Sequence, residues 1–267
     1  MTKTYIELNH RHLTYQLSST DFKETIVFVH GAGSSLEQFK YQYDFFKSQY
    51  NVLCISLHGH DQTYATIQYN KEEFAIPRLA EDVYQILQQL NLSHVHFVGN
   101  SLGGLVGYQL YLTHPESCKS LTTFGTAIKL TYPRWAISLI SKIDLLMLTF
   151  FSTSYLSSLL KASSNHIHTQ KKMLEIMLGA KHVAHLVRSQ IGNYNFLHLL
   201  DHLSIPYLYL HCTQDDSINK AMKPHFSYLE DSSAVTIKQI EKAGHFCNLD
   251  QPELFNQTLI NFIHQAY

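Results

Sequence analysis

Gly99-Asn100-Ser101-Leu102-Gly103-Gly104 decides how this chain is read. His94–Val98 (HVHFV) precedes it and has the apolar, β-branched character of a buried strand. Leu102–Thr113 follows with a helical pattern that stops at His114-Pro115. A serine in the pattern G-x-S-x-G between a strand and a helix sits on a sharp reversal of the chain. The reversal forces the serine backbone into a strained conformation, and the flanking glycines let strand and helix approach closely. The hydroxyl is then presented at the carboxyl edge of a sheet, beside the N–H groups and the favourable dipole of a helix N-terminus.

Working outward, Thr25–Val29 (TIVFV) and Asn51–Leu57 (NVLCISL) are near-continuous apolar runs, the mark of a sheet covered on both faces. Between the second run and the serine turn, Ile76–Leu90 has helical periodicity, with Leu79, Val83, Ile86, Leu87 and Leu90 on one face. Residues 4–9 and 11–17 alternate and predict an N-terminal hairpin. Lys119–Phe124 is a further strand, after which the βαβ rhythm stops. Residues 128–199 show no strand pattern but helical ones, at about 134–151, 153–161, 170–178 and 181–190. A strand is predicted at Ile205–His211, a helix near 219–229, a strand at Ala234–Ile240 and a last helix at 252–264. The fold class is therefore α/β, a mostly parallel sheet with right-handed crossovers and a helical insertion. The insertion lacks a core of its own, so it is expected to fold over the sheet as a cap. The division is 1–125 and 201–267 for the core and 126–200 for the cap.

A serine nucleophile needs a base, and in the chain order Ser…Asp…His the base lies beyond the last strand. Among the 18 histidines, His245 in Gly244-His245-Phe246 has that position. His94 and His96 fall in a strand and are expected to be packing or surface residues. The carboxylate that orients His245 should follow the strand ending at His211, in Cys212-Thr213-Gln214-Asp215-Asp216. Asp215 has the better spacing and Asp216 is its competitor, with the other one capping the next helix. Oxyanion donors are expected from the backbone N–H groups of Leu102, just after the serine, and Ala32, in His30-Gly31-Ala32-Gly33.

Four segments together, VFVHGAG (Val27–Gly33), GNSLGG (Gly99–Gly104), HCTQDD (His211–Asp216) and AGHF (Ala243–Phe246), resemble the α/β-hydrolase fold superfamily of esterase- and lipase-like serine hydrolases. The resemblance covers nearly the whole chain. It implies a three-layer fold, an eight-stranded sheet, a cap between the sixth and seventh strands, and the triad Ser101, Asp215 and His245. Cys212 stands where the family usually has glycine. Leu57-His58-Gly59-His60-Asp61 lacks the proline and second glycine of the corresponding family segment.

Composition narrows the functions. Twenty Lys and Arg against 21 Asp and Glu leave a net charge of -1, and no basic stripe for nucleic acid is present. Ala136–Phe151 is the most lipid-like run, but Lys142 and Asp144 interrupt it, so stable membrane insertion is not expected. The N-terminus shows no apolar signal region and the four cysteines form no CxxC pair, which predicts a cytoplasmic protein with free thiols. His166/His168 and His182/His185 stand as isolated pairs of surface histidines, so no metal is expected. No organic cofactor is expected either, and a homo-oligomer is compatible with the sequence. Trp135, Leu139, Leu145, Leu146, Met147, Phe150 and Phe151 are expected to pack the cap on the sheet or to line an acyl pocket. The expected substrate is a small or medium carboxylic ester with an apolar acyl group. A C–C bond hydrolase or lactonase with the same triad, marked by Arg188, Arg134 or His185 in the pocket, is one alternative. A non-catalytic ligand-binding protein of the same fold is the other.

Overall fold

A computed structural model describes residues 3–265 of the chain. The N-terminal strands β1 (Thr4–Leu8) and β2 (Arg11–Leu17) form the predicted hairpin. Its two turn residues, Asn9 and His10, both have positive φ, as a tight hairpin of matching twist requires. The chain continues through β3 (Thr25–Val29), α1 (Lys40–Phe46), β4 (Asn51–Ser56), α2 (Ile76–Gln89), β5 (Val95–Asn100), α3 (Leu102–Thr113) and β6 (Cys118–Phe124). A helical excursion follows, made of β7 (Lys129–Thr131), α4 (Arg134–Phe150), α5 (Ser152–Ser163), α6 (Ile167–Arg188), β8 (Asn193–Asn195) and α7 (Leu199–His202). Then come β9 (Tyr207–Cys212), α8 (Asp216–Met222), α9 (Phe226–Glu230), β10 (Val235–Ile240), α10 (Cys247–Asp250) and α11 (Pro252–Gln265).

Eight strands form one sheet in the order β1-β2-β4-β3-β5-β6-β9-β10. β1, β2 and β4 pair antiparallel and every other neighbour is parallel. Alternation along the central strands splits the core into two layers. Val27, Val29, Leu53, Ile55 and Phe97 face α2 and α3, whereas Ile26, Phe28, Val52, Cys54 and Val98 face α1 and α11. The sheet is thus sandwiched between helices, which explains why β3, β4 and β5 are buried along their whole length.

Several sequence expectations are corrected. His94 is not in a strand. It takes φ 52° in the turn before β5, while His96 lies in β5 and packs against Ser120. The helices expected at 170–178 and 181–190 are one helix, α6, because Gly179 between them costs only about 1 kcal/mol in a helix. The helix expected near 219–229 is broken into α8 and α9 around Pro224, whose ring cannot continue a helix. The excursion does contain strands. β7 and β8 pair antiparallel from Lys129↔Asn195 to Thr131↔Asn193, closing the base of the helical segment. Strands of three residues are too short to announce themselves by periodicity.

The helical segment lies over the carboxyl edge of the sheet. Gly33, after β3, faces Met177 and Ala184 of α6, and Gly59, after β4, faces Val183 of the same helix. The backbone N–H of His245, after β10, donates to the Ser163 carbonyl at the end of α5 at 2.8 Å.

Candidate active site

Ser101 occupies the junction of β5 and α3 at φ 52°, ψ -112°. That conformation lies outside the regions open to a residue with a Cβ and costs roughly 1–3 kcal/mol. Packing holds it there. A Cβ on Gly103 would overlap the Val29 carbonyl, and one on Gly99 would overlap the Gly103 backbone. β5, α3 and the end of β3 therefore touch backbone to backbone. The Ser101 N–H donates to the Phe124 carbonyl at 3.0 Å, tying the turn to β6. Thr126 Oγ1 donates to the Ser101 and Phe124 carbonyls at 3.2 and 3.0 Å.

His245 is reached by a loop whose own contacts fix its path. The Gly244 N–H donates to Asp250 Oδ2 at 2.8 Å, and Ser164 Oγ donates to Asp250 Oδ1 at 2.6 Å. The His245 Nδ1–H donates to Asp215 Oδ2 at 2.7 Å, which leaves Nε2 as the acceptor. Burial disfavours a charged His245 ring, but the Asp215 charge and hydrogen bond outweigh it, and the pKa ends above the ordinary histidine value. Burial likewise penalises the Asp215 carboxylate. His245 and the donors from Ile218 and Ser217 outweigh that penalty and hold its pKa below the usual carboxylate range.

Asp215 and Asp216 do not divide the two expected roles. Asp215 takes both. Its Oδ2 meets His245, while its Oδ1 accepts from Ser217 Oγ at 3.1 Å and from the Ile218 N–H at 3.4 Å, capping α8. Asp216 is the exposed first residue of that helix. The cap restrains the carboxylate, since its bonds to the helix N-terminus favour the rotamer that meets His245.

Ser101, His245, Ala32 and Leu102 line one cavity of about 420 Å³. The Leu102 amide is the first of α3, one of the donors that helix geometry leaves without an intrahelical partner. Ala32 is placed by His30. The buried ring of His30 donates from Nδ1 to the Gly31 carbonyl at 2.7 Å and accepts the Leu57 N–H on Nε2 at 3.0 Å. Burial pushes the His30 pKa down to about 4, so it stays a neutral brace at neutral pH. The remaining wall is largely apolar and includes Leu105, Leu130, Ile137, Ile140, Leu159 and Met177. None of the seven cap residues expected to pack the cap on the sheet or to line the pocket is in its wall, and Trp135, Leu139, Leu145, Leu146, Phe150 and Phe151 are exposed instead. From α4 it is Ile137 and the partly exposed Ile140 that border the cavity, which a helix rich in apolar residues on every face does not disclose in sequence.

Of the three polar cap residues singled out, Arg188 lines the cavity; Arg134 and His185 are not in its wall. Arg188 Nε donates to the buried Asp144 carboxylate at 3.0 Å, and Tyr155 OH donates to the other oxygen of Asp144. The first histidine pair has structural partners. His166 bonds the Lys242 carbonyl, His168 bonds Tyr41 OH, and His182 and His185 are about half-buried rather than on the surface. Among the described residues no three His, Cys, Asp or Glu side chains gather as a metal-holding group. All four cysteines are free and buried.

Asn100 is a residue that motif reasoning passed over. Its Nδ2 donates to the carbonyls of Phe124 at 3.2 Å and His245 at 3.1 Å, and its Oδ1 accepts from Gln38 Nε2 at 3.0 Å. It bridges the serine turn and the histidine loop. Asn248 and Gln42 extend the same buried network toward α11. The variable position of G-x-S-x-G carries no signal for this role, because the partners lie far away in sequence.

The chain belongs to the alpha/beta hydrolase fold family, which it matches over residues 24–252. Among curated relatives, the putative carbamate hydrolase RutD of Escherichia coli O9:H4 (strain HS) is 23% identical over 252 residues, covering 88% of this chain and 90% of that protein. The fold is shared with a thermophilic esterase from Thermogutta terrifontis at a TM-score of 0.84 and 16% identity, over 100% of this chain and 99% of the other. It is shared as well with the enol-lactonase of Burkholderia xenovorans LB400 at a TM-score of 0.78 and 16% identity, over 98% and 100% of the two chains.

Two glycine substitutions test the steric account of the turn. Gly103→Ala is expected to lower unfolding stability by at least about 1–3 kcal/mol, because backbone must move to admit the methyl group. Gly179→Ala, whose nearest neighbour would be Gln62 Cβ at 3.9 Å, is expected to be neutral or to stabilise by about 0.5–1 kcal/mol. Urea unfolding of the two variants beside the wild type checks both signs.

Proposed function

We propose that the protein is a serine hydrolase that cleaves small or medium carboxylic esters with an apolar acyl group through an acyl-enzyme. The observation that carries this reading is the 2.7 Å bond from His245 Nδ1 to Asp215, in a cavity that Ser101 also lines. His245 Nε2 takes the proton from Ser101 Oγ as the oxygen attacks the ester carbonyl. The N–H groups of Ala32 and Leu102 hold the tetrahedral oxyanion. The protonated ring, favoured by Asp215, passes its proton to the leaving alkoxide as the C–O bond breaks. Water then enters and bonds the acyl carbon as it gives a proton to His245; the Oγ–C bond breaks, the acid leaves, and His245 returns the proton to Ser101 Oγ. The largely apolar wall supports an apolar acyl chain. The names of the relatives (carbamate hydrolase, esterase, enol-lactonase) agree with attack at an acyl carbonyl.

The raised pKa of His245 sets the pH dependence. A base must be neutral, so kcat/KM for p-nitrophenyl butyrate is expected to rise with pH through an inflection above the ordinary histidine value of 6.5. Ser101→Ala is expected to remove hydrolysis and fluorophosphonate labelling together. Asp215→Asn should lower kcat by about 10⁴-fold. Turnover that survives Ser101→Ala would contradict the assignment.

Arg188 favours a second reading of the substrate, in which the acyl group ends in a carboxylate, as a lactone or C–C bond substrate can. Its Nε is held by Asp144, which leaves the Nη groups for a ligand. In that case mono-p-nitrophenyl glutarate is a better substrate than the neutral butyrate ester. Arg188→Met should then raise KM for the glutarate by about tenfold or more and leave the butyrate KM unchanged. Equal effects on the two esters would exclude the carboxylate reading.

A further inference from the structure

α4 carries a solvent-facing apolar stripe that the hydrolytic site does not use. Trp135, Leu139, Ile143, Leu146 and Phe150 recur at spacings of three and four residues and lie on one side of the helix. They are exposed by 71%, 51%, 45%, 56% and 69% respectively. The opposite side holds the buried Asp144 and Leu148. Tyr132 before the helix and Phe151 after it extend the exposed surface at either end. Isolated apolar residues on a surface need no explanation, but a contiguous stripe of this size marks an interaction site.

Charge points to the partner. Residues 126–200 contain eight Lys and Arg against two Asp and Glu, a net of +6, whereas the whole chain is at -1, so the remainder carries -7. Of the two acids, Asp144 is buried against Arg188 and Tyr155. On α4 the exposed charges are Arg134 and Lys142, and Lys142 lies within the apolar stripe. A second copy meeting this one through the same face would set Arg134 and Lys142 of the two copies against each other with no exposed acid on α4 to pair them, which disfavours self-association there. An apolar stripe with aromatic residues, and with only basic charges exposed on the same helix, is instead the pattern of a helix lying in a lipid interface, where lysine stems lie along the apolar layer and their heads reach the phosphates. Among the described residues no helix is long and apolar enough to cross a membrane, so the contact is one of surface adsorption. Tyr132 and Ile140 belong both to the exposed surface and to the cavity wall, so the cavity borders this face.

We propose that the outer face of α4, from Tyr132 to Phe151, is a docking surface for an anionic phospholipid bilayer. Trp135 is the only tryptophan of the chain and sits in the surface, so its emission reports the contact directly. The full-length protein is titrated with vesicles of phosphatidylcholine alone and of phosphatidylcholine with phosphatidylglycerol. The expected result is a saturable blue shift with the anionic vesicles, little shift with the zwitterionic ones, and reversal by salt. The double variant Leu146→Asp/Phe150→Asp should lower partitioning by at least about tenfold. Lys142→Gln should lower it by about fivefold. Both variants change exposed positions outside the cavity wall, so turnover of a soluble short-chain ester should persist. Because binding is read by fluorescence, it stands whether or not the ester is cleaved. Absence of a shift with anionic vesicles, or an equal shift with both kinds, overturns the proposal. A shift that follows protein concentration without lipid assigns the face to a second copy and overturns it too.

Discussion

The contact between α3 and the end of β3 is the constraint from which the site follows. The Val29 carbonyl occupies the place where a side chain on residue 103 would begin, so helix and sheet meet without any intervening atom. That proximity leaves no room for a relaxed connection between β5 and α3, and Ser101 is driven to φ 52°, ψ -112°. The strain is borne by burial on both faces of the sheet, where Ile26, Phe28, Val52 and Val98 pack one layer and Val27, Leu53 and Phe97 the other. The same approach places Leu102, the first residue of α3, in the cavity wall. One steric fact thus sets the serine conformation and the place of a backbone donor.

Polar groups register the other loops against that turn. Asn100 spans from Gln38 to the His245 carbonyl, so the histidine loop is indexed to the residue beside Ser101. Asp250 receives Gly244 with one oxygen and Ser164 with the other, joining the histidine loop to the helical excursion. Asp215 shares its carboxylate between a helix cap and His245. Buried polar groups of this kind are costly unless every partner is supplied, and for that reason they define geometry more sharply than apolar packing does.

The sheet and the serine turn were legible in the sequence because their signals are local. Apolar runs such as TIVFV, and glycines two residues before and after a serine, need no knowledge of distant residues. That His245 would meet a carboxylate of the Asp215-Asp216 pair was legible through chain order and the family resemblance. What escaped depends on tertiary structure. Asn100 looks like an arbitrary residue until Gln38 and His245 are seen beside it. The double role of Asp215 is invisible in the pair Asp215-Asp216, which reads as two residues with one task each. The orientation of α4 escaped for a different reason. Apolar residues surround most of that helix, so periodicity did not tell Ile140, at the cavity, from Leu146, in solvent.

The most direct test of the central claim is to trap the acyl group. The protein is mixed with p-nitrophenyl butyrate for less than one turnover, quenched in acid, digested and mapped by mass spectrometry. A burst of nitrophenolate no larger than one per chain is expected, with a butyryl group on the peptide that carries Ser101. A butyryl group on another residue, or release of nitrophenolate with Ser101 unmodified at every time sampled, would contradict it.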